Sequence, residues 1–258
     1  QYAISSAQFS GMTFRDLSLF FSDMAKKEGA PDAFQALIQA AEGGMIPPNI
    51  DLHLLGHIVG DLLYEQEGVD GIRICTNALR NACSHSIVVG AFLERGISAI
   101  TEVADICREA PGGKGAYPMC VHGLGHGVLA SVDYDMKEAV KLCEMIGSPV
   151  MSDRIYGECV GGIAMEMMAG VHDPEVWNRR KKEFFDERDP LAPCNKDFLS
   201  EAAQSMCYNF LTPHLFETAG ADLGIPTARD YQKAFTYCNL IPREETGNRI
   251  SCYGGFGK

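Results

Sequence analysis

Ten cysteines in a chain of 258 residues constrain this fold more than any other feature of its sequence. Taken in order they fall into five neighbouring couples: Cys75 with Cys83, Cys107 with Cys120, Cys143 with Cys159, Cys194 with Cys207, and Cys238 with Cys252. The first member of a couple ends a helix-like run, as in Ala104–Cys107 and Met136–Cys143; Cys194, after a Pro-rich loop, is the exception. The second member opens an apolar helical run. Polar or Gly/Pro-containing loops lie between, such as Pro111-Gly112-Gly113-Lys114-Gly115. The second members stand 37, 39, 48 and 45 residues apart, a spacing typical of helical repeats. An even cysteine count in regular couples points to disulfides in an oxidising compartment, although spacing alone does not set connectivity. Buried free thiols are the competing reading. So is a Cys2His2 zinc site with Cys83-Ser84-His85 and Cys120-Val121-His122 as its halves.

Helix formers are plentiful and alternating β-branched runs nearly absent, so an all-α chain is expected. The architecture that follows is a disulfide-stapled array of helical hairpins, solenoid or toroid-like, in a single domain over 1–258. Residues 1–12 read as a loosely held arm. Helices at Phe14–Lys27 and from Pro31 to Glu42 would cap the array within 1–48. The charged stretch 172–193, with the only Trp and three prolines, reads as a solvated helix and a weak boundary. The repeat length overlaps several helical-repeat families, but their signature residues are absent.

The chemistry concentrates in Met119-Cys120-Val121-His122-Gly123-Leu124-Gly125-His126-Gly127. Three glycines in five positions make a poor helix by propensity. Yet two histidines four apart share a face only on a helix. A second copy lies at His53-Leu54-Leu55-Gly56-His57, giving a shared His-x-x-Gly-His pattern. The run from Cys83 keeps His85 but has Val89 in place of the second His. The run from Cys159 has Gly161 and Met165 in place of both. Five imidazoles, His53, His57, His85, His122 and His126, therefore occupy repeat-equivalent positions. They are the candidate metal ligands, with Asp61, four residues past His57, as a supporting carboxylate. Glycines 56, 60, 123, 125 and 127 would let helices or a ligand come close. His172 and His214 fall outside the pattern and are treated as ordinary.

Imidazoles with one or two carboxylates suit Zn, Cu or Fe rather than Ca or Mg. Several sharper labels fail. There is no His-Glu-x-x-His, no Cys-x-x-Cys-His, no Walker lysine after the glycines and no Gly-x-Ser-x-Gly. Haem held non-covalently between two histidines has no supporting motif. A formal charge of −12 argues against a nucleic-acid partner, and no apolar run is long enough for a membrane span. The start at Gln1, without a signal-like segment, suits a mature secreted product or a trimmed chain. The expectation is an extracytoplasmic metal-binding protein (secreted, periplasmic or at the cell surface). Metalloenzyme chemistry and self-association stay open, and no residue takes a catalytic role or names a small-molecule ligand. The alternative is a structural or interaction repeat protein whose histidines are hydrogen-bonded core residues.

Overall fold

In the computed structural model, residues 6–170, 172–221 and 225–257 are described; the N-terminal part of the expected arm, 1–5, lies outside them. Among the described residues every regular element is helical: α1 (Ser6–Phe9), α2 (Phe14–Glu28), α3 (Ala30–Glu42), α4 (Leu52–Glu67), α5 (Ala82–Arg95), α6 (Ile100–Cys107), α7 (Ala116–Ser131), α8 (Met136–Cys143), α9 (Arg154–Ala169), α10 (Pro174–Phe184), α11 (Glu201–Phe210), α12 (Thr212–Ala219), α13 (Ala228–Tyr237) and α14 (Thr246–Gly255). The chain forms two compact units, Gln1–Leu124 and Gly125–Lys258.

Local chemistry sets where these helices start. Thr13 and Asp16 form a capping box at α2 and Thr227 and Asp230 another at α13; Pro31 sits in the first turn of α3. Asp51 accepts from the amides of His53 and Leu54, Asp153 from those of Ile155 and Tyr156, and Ser200 from that of Ala203. These caps start α9 and α11 several residues before Cys159 and Cys207, so those cysteines lie inside their helices instead of opening them. Residues 6–12 are not a loose arm. Phe9 is fully buried, with its ring centroid 5.3 Å from that of Phe20 and 6.0 Å from that of Phe21.

All five expected couples are disulfides, Cys75–Cys83, Cys107–Cys120, Cys143–Cys159, Cys194–Cys207 and Cys238–Cys252. The Cys2His2 zinc reading falls with them, because Cys83 and Cys120 have no thiolate to offer a metal. Each loop closed restricts the unfolded chain, a contribution of about 3 kcal/mol per bond in the chain-entropy account.

In the first unit α4 packs on α5 through its glycines. A Cβ at Gly56 would lie 2.8 Å from Ala82 Cβ, and one at Gly60 would lie 2.7 Å from Ser86 Cβ and 2.9 Å from the Cys83 carbonyl oxygen. A Cβ at Gly123 would lie 2.7 Å from the His85 ring. In the second unit the Cys159 carbonyl of α9 occupies the space a side chain at Gly125 would need. The charged stretch after α9 is tied down there too. The Trp177 indole N–H donates to the Met167 carbonyl at 2.7 Å, and Lys181 stacks over its ring. Arg180 reaches the Asp133 carbonyl and Asp135.

Two substitutions separate close packing from helix propensity. Gly125→Ala has backbone in its way and is expected to lower stability by about 3 kcal/mol. Gly247→Ala meets nothing within 4 Å and is expected to be neutral or slightly stabilising. Denaturant unfolding of both variants checks the contrast.

Candidate metal centre

In the second unit one carboxylate organises the site. Glu166 lies on α9, has no exposed surface, and is flanked by Met165, Met167 and Met168. Burying an ionised carboxylate is costly unless donors meet it. Four do. The His126 Nδ1–H donates to Oε2 at 3.0 Å and the His172 Nδ1–H donates to the same oxygen at 2.7 Å. Oε1 accepts from the Tyr134 hydroxyl at 2.6 Å and from the His172 backbone N–H at 3.1 Å. Burial alone would push the Glu166 carboxyl up. The hydrogen bonds and charge of His126 and His172 outweigh it and hold the group well below the usual carboxylate range.

Tyr134 is the hinge of this arrangement. It is fully buried, and its hydroxyl both donates to Glu166 and accepts from the Asp173 N–H at 2.9 Å. Burial, then the Glu166 charge, raises its hydroxyl far above the ordinary phenol range, so it stays a donor. Asp133 and Tyr134 sit in left-handed backbone (φ 52° and 58°), uncommon for residues with side chains. That turn ends α7 and sends the Tyr134 ring inward. Asp173, whose amide Tyr134 holds, caps α10 through the Val176 N–H.

The three donor groups His126, Glu166 and His172 offer ligand atoms within 4.8 Å of one another. Two imidazoles and a carboxylate are the donor set of many zinc and non-haem iron sites. Their nitrogen-to-oxygen separations fall a few tenths of an ångström short of the ~3.3 Å edge of a tetrahedron with zinc-length bonds. The two carboxylate oxygens differ in role. Oε1 is saturated by Tyr134 and backbone, whereas Oε2 meets only the two ring protons, which a cation could replace.

In the first unit four more of the expected imidazoles gather. The His53 and His57 Nε2 atoms are 3.2 Å apart, with ring centroids 4.6 Å apart. His85 lies 6.5 Å from His53 and 6.4 Å from His57, centroid to centroid, and 5.9 Å from His122. His85 and His122 are buried. Asp61 is exposed on α4. The groups that meet the Nδ1 atoms of His53 and His57 are the Leu79 carbonyl and Ser86 Oγ, at 2.8 and 3.0 Å.

Set against protein-family models, curated proteins and solved structures, the chain matches none. Of the expected ligands, His126 stands beside Glu166. The other two members of that trio escaped the sequence pattern. His172 lies outside every repeat, just before the α10 cap. Glu166 occupies the position after Met165, where the repeat would place its second His. The available signal was a single acidic residue inside the apolar run Ile163-Ala164-Met165-Glu166-Met167-Met168.

The depressed Glu166 group links stability to pH. Its contribution is complete above its unfolded-state range, about pH 4.5, and is lost as pH falls through the folded-state value. Metal-free wild-type protein should therefore lose stability steadily below about pH 4.5. Glu166→Gln leaves donors facing an amide and should cost about 3 kcal/mol at pH 7, flattening that acid limb. Urea unfolding of both proteins from pH 7 to 3 measures it; parallel curves would contradict the assignment.

Proposed function

We propose that this protein is an extracytoplasmic metal-binding protein whose centre is His126, Glu166 and His172. The observation that carries the reading is the division of labour at Glu166. One carboxylate oxygen is anchored by Tyr134 and a backbone amide, and the other is turned toward two imidazoles. Such anchoring of a ligand's outer oxygen is what orients carboxylates in metal sites. The cation would replace both Nδ1 protons at the Oε2 side. Three protein donors leave coordination positions open for water or a small ligand. Zinc, iron(II) or copper suits the donors. The five disulfides support an oxidising compartment, and no helix is long and apolar enough to cross a membrane.

The proposed architecture around the centre is a series of stapled helical hairpins. The Cys107–Cys120 and Cys143–Cys159 disulfides, each joining the last residue of one helix to the body of the next, support it. In the competing reading, as a structural or interaction protein, Glu166 and its donors are a closed polar network that needs no ion.

Elemental analysis separates the two. Protein refolded or purified with zinc, iron or copper present should retain metal after desalting, and a chelator should lower its melting temperature. His172→Ala should lose that equivalent without losing the fold. Because imidazoles bind metal only when deprotonated, affinity should also fall as the solution is acidified. Less than about a tenth of an equivalent of any transition metal, with melting unchanged in chelator, would favour the structural reading.

A further inference from the structure

The first unit holds an arrangement with the opposite polarity. The His53 Nδ1 faces the Leu79 carbonyl at 2.8 Å, and a carbonyl only accepts, so this nitrogen carries the proton. The Ser86 hydroxyl donates to the His57 carbonyl at 2.9 Å, so its oxygen accepts from His57 Nδ1 at 3.0 Å. That nitrogen carries the proton as well. A neutral imidazole has one N–H, so the lone pair of each ring falls on Nε2. These two lone pairs point at each other across 3.2 Å.

Two facing lone pairs repel unless something positive sits between them. A 3.2 Å nitrogen pair is close to the ~3.3 Å edge of a tetrahedral site with zinc–nitrogen bonds. The backbone is bent to make the pair. Leu79, Arg80 and Asn81 are three successive non-glycine residues in left-handed conformation (φ 53°, 54° and 62°). Leu79 and Arg80 are strained in it, whereas Asn81 tolerates it. Together they turn the Leu79 carbonyl onto His53, inside the loop that Cys75–Cys83 closes. Leu79 also packs against Gly56, the glycine of His-x-x-Gly-His. His53 lines an open cleft with Pro48, Asn49, Asp51, Leu79 and Arg80, which gives an ion a way in.

We infer that His53 and His57 also form a metal site, which takes a zinc- or copper-class cation on their two Nε2 atoms. Ser86 and the Leu79 carbonyl are positioning groups that fix the tautomers. His85 is the nearest further imidazole. Its ring would need to move inward by about 1 Å to join the same ion at zinc-length bonds.

The test uses Zn2+ titration by calorimetry, run in parallel on four proteins. Wild type should bind two equivalents, and His172→Ala one. His57→Ala should lose the other, and Ser86→Ala should keep it with affinity lowered about tenfold or more. Long-range nitrogen NMR of His172→Ala gives an independent readout, in which Zn2+ should move the Nε2 resonances of His53 and His57. Binding of one equivalent that His172→Ala abolishes and His57→Ala leaves intact would overturn this site while upholding the first. The reverse pattern would uphold this site and remove the other. No zinc response at either Nε2, as a shared proton between the rings would give, also overturns it, even if Ser86→Ala folds normally.

Discussion

Within each unit, helices approach one another more closely than side chains permit, and the rest of that unit is arranged around the approach. The Gly60, Gly123 and Gly125 positions are filled by Ser86, by the His85 ring and by the Cys159 carbonyl. In each case the intruding group belongs to a helix that carries a cysteine of a disulfide. The cross-links and the missing side chains therefore act on the same helices. Absent Cβ atoms permit the contact, and sulfur bonds limit how far the unfolded chain can stray from it. Glycine inside a helix weakens it in isolation. Here the loss is offset by burial that a larger residue would block.

That closeness also creates the polar interior. A helix packed at van der Waals distance brings its neighbours' buried imidazoles within reach of one another and of whatever polar atoms line the seam. The two clusters solve the resulting problem in opposite ways. Around Glu166, ring protons point inward to an anion, which is held by hydrogen-bond donors at both oxygens. Around His53 and His57, ring protons point outward to Leu79 and Ser86, and the basic nitrogens converge. The first holds negative charge without help; the second invites positive charge.

Much of this was legible in the sequence, and the boundary of legibility has a physical cause. The cysteine couples could be read because a helix end, a loop and a helix body are all local signals. The histidine pattern could be read because i and i+4 fall on one helix face. Glu166 and His172 could not, because they meet His126 through tertiary packing that no spacing encodes. The tautomers of His53 and His57 were also out of reach. They depend on a hydroxyl 29 residues further along the chain and on a carbonyl aimed by left-handed backbone. Asn81 suits left-handed backbone, but nothing in the identity of Leu79 or Arg80 announces the turn.

The lone tryptophan acquires a use from its position. Trp177 is pressed over Gly170, within van der Waals reach of the backbone between Glu166 and His172, and its N–H is bound to the carbonyl next after Glu166. Since the chain has no other indole, ultraviolet emission excited at the red edge comes from this one place. The molecule thus carries a native optical reporter beside its acidic centre, and any event that loosens or tightens the strand of chain joining that glutamate to its second imidazole will be written in the colour and yield of that light.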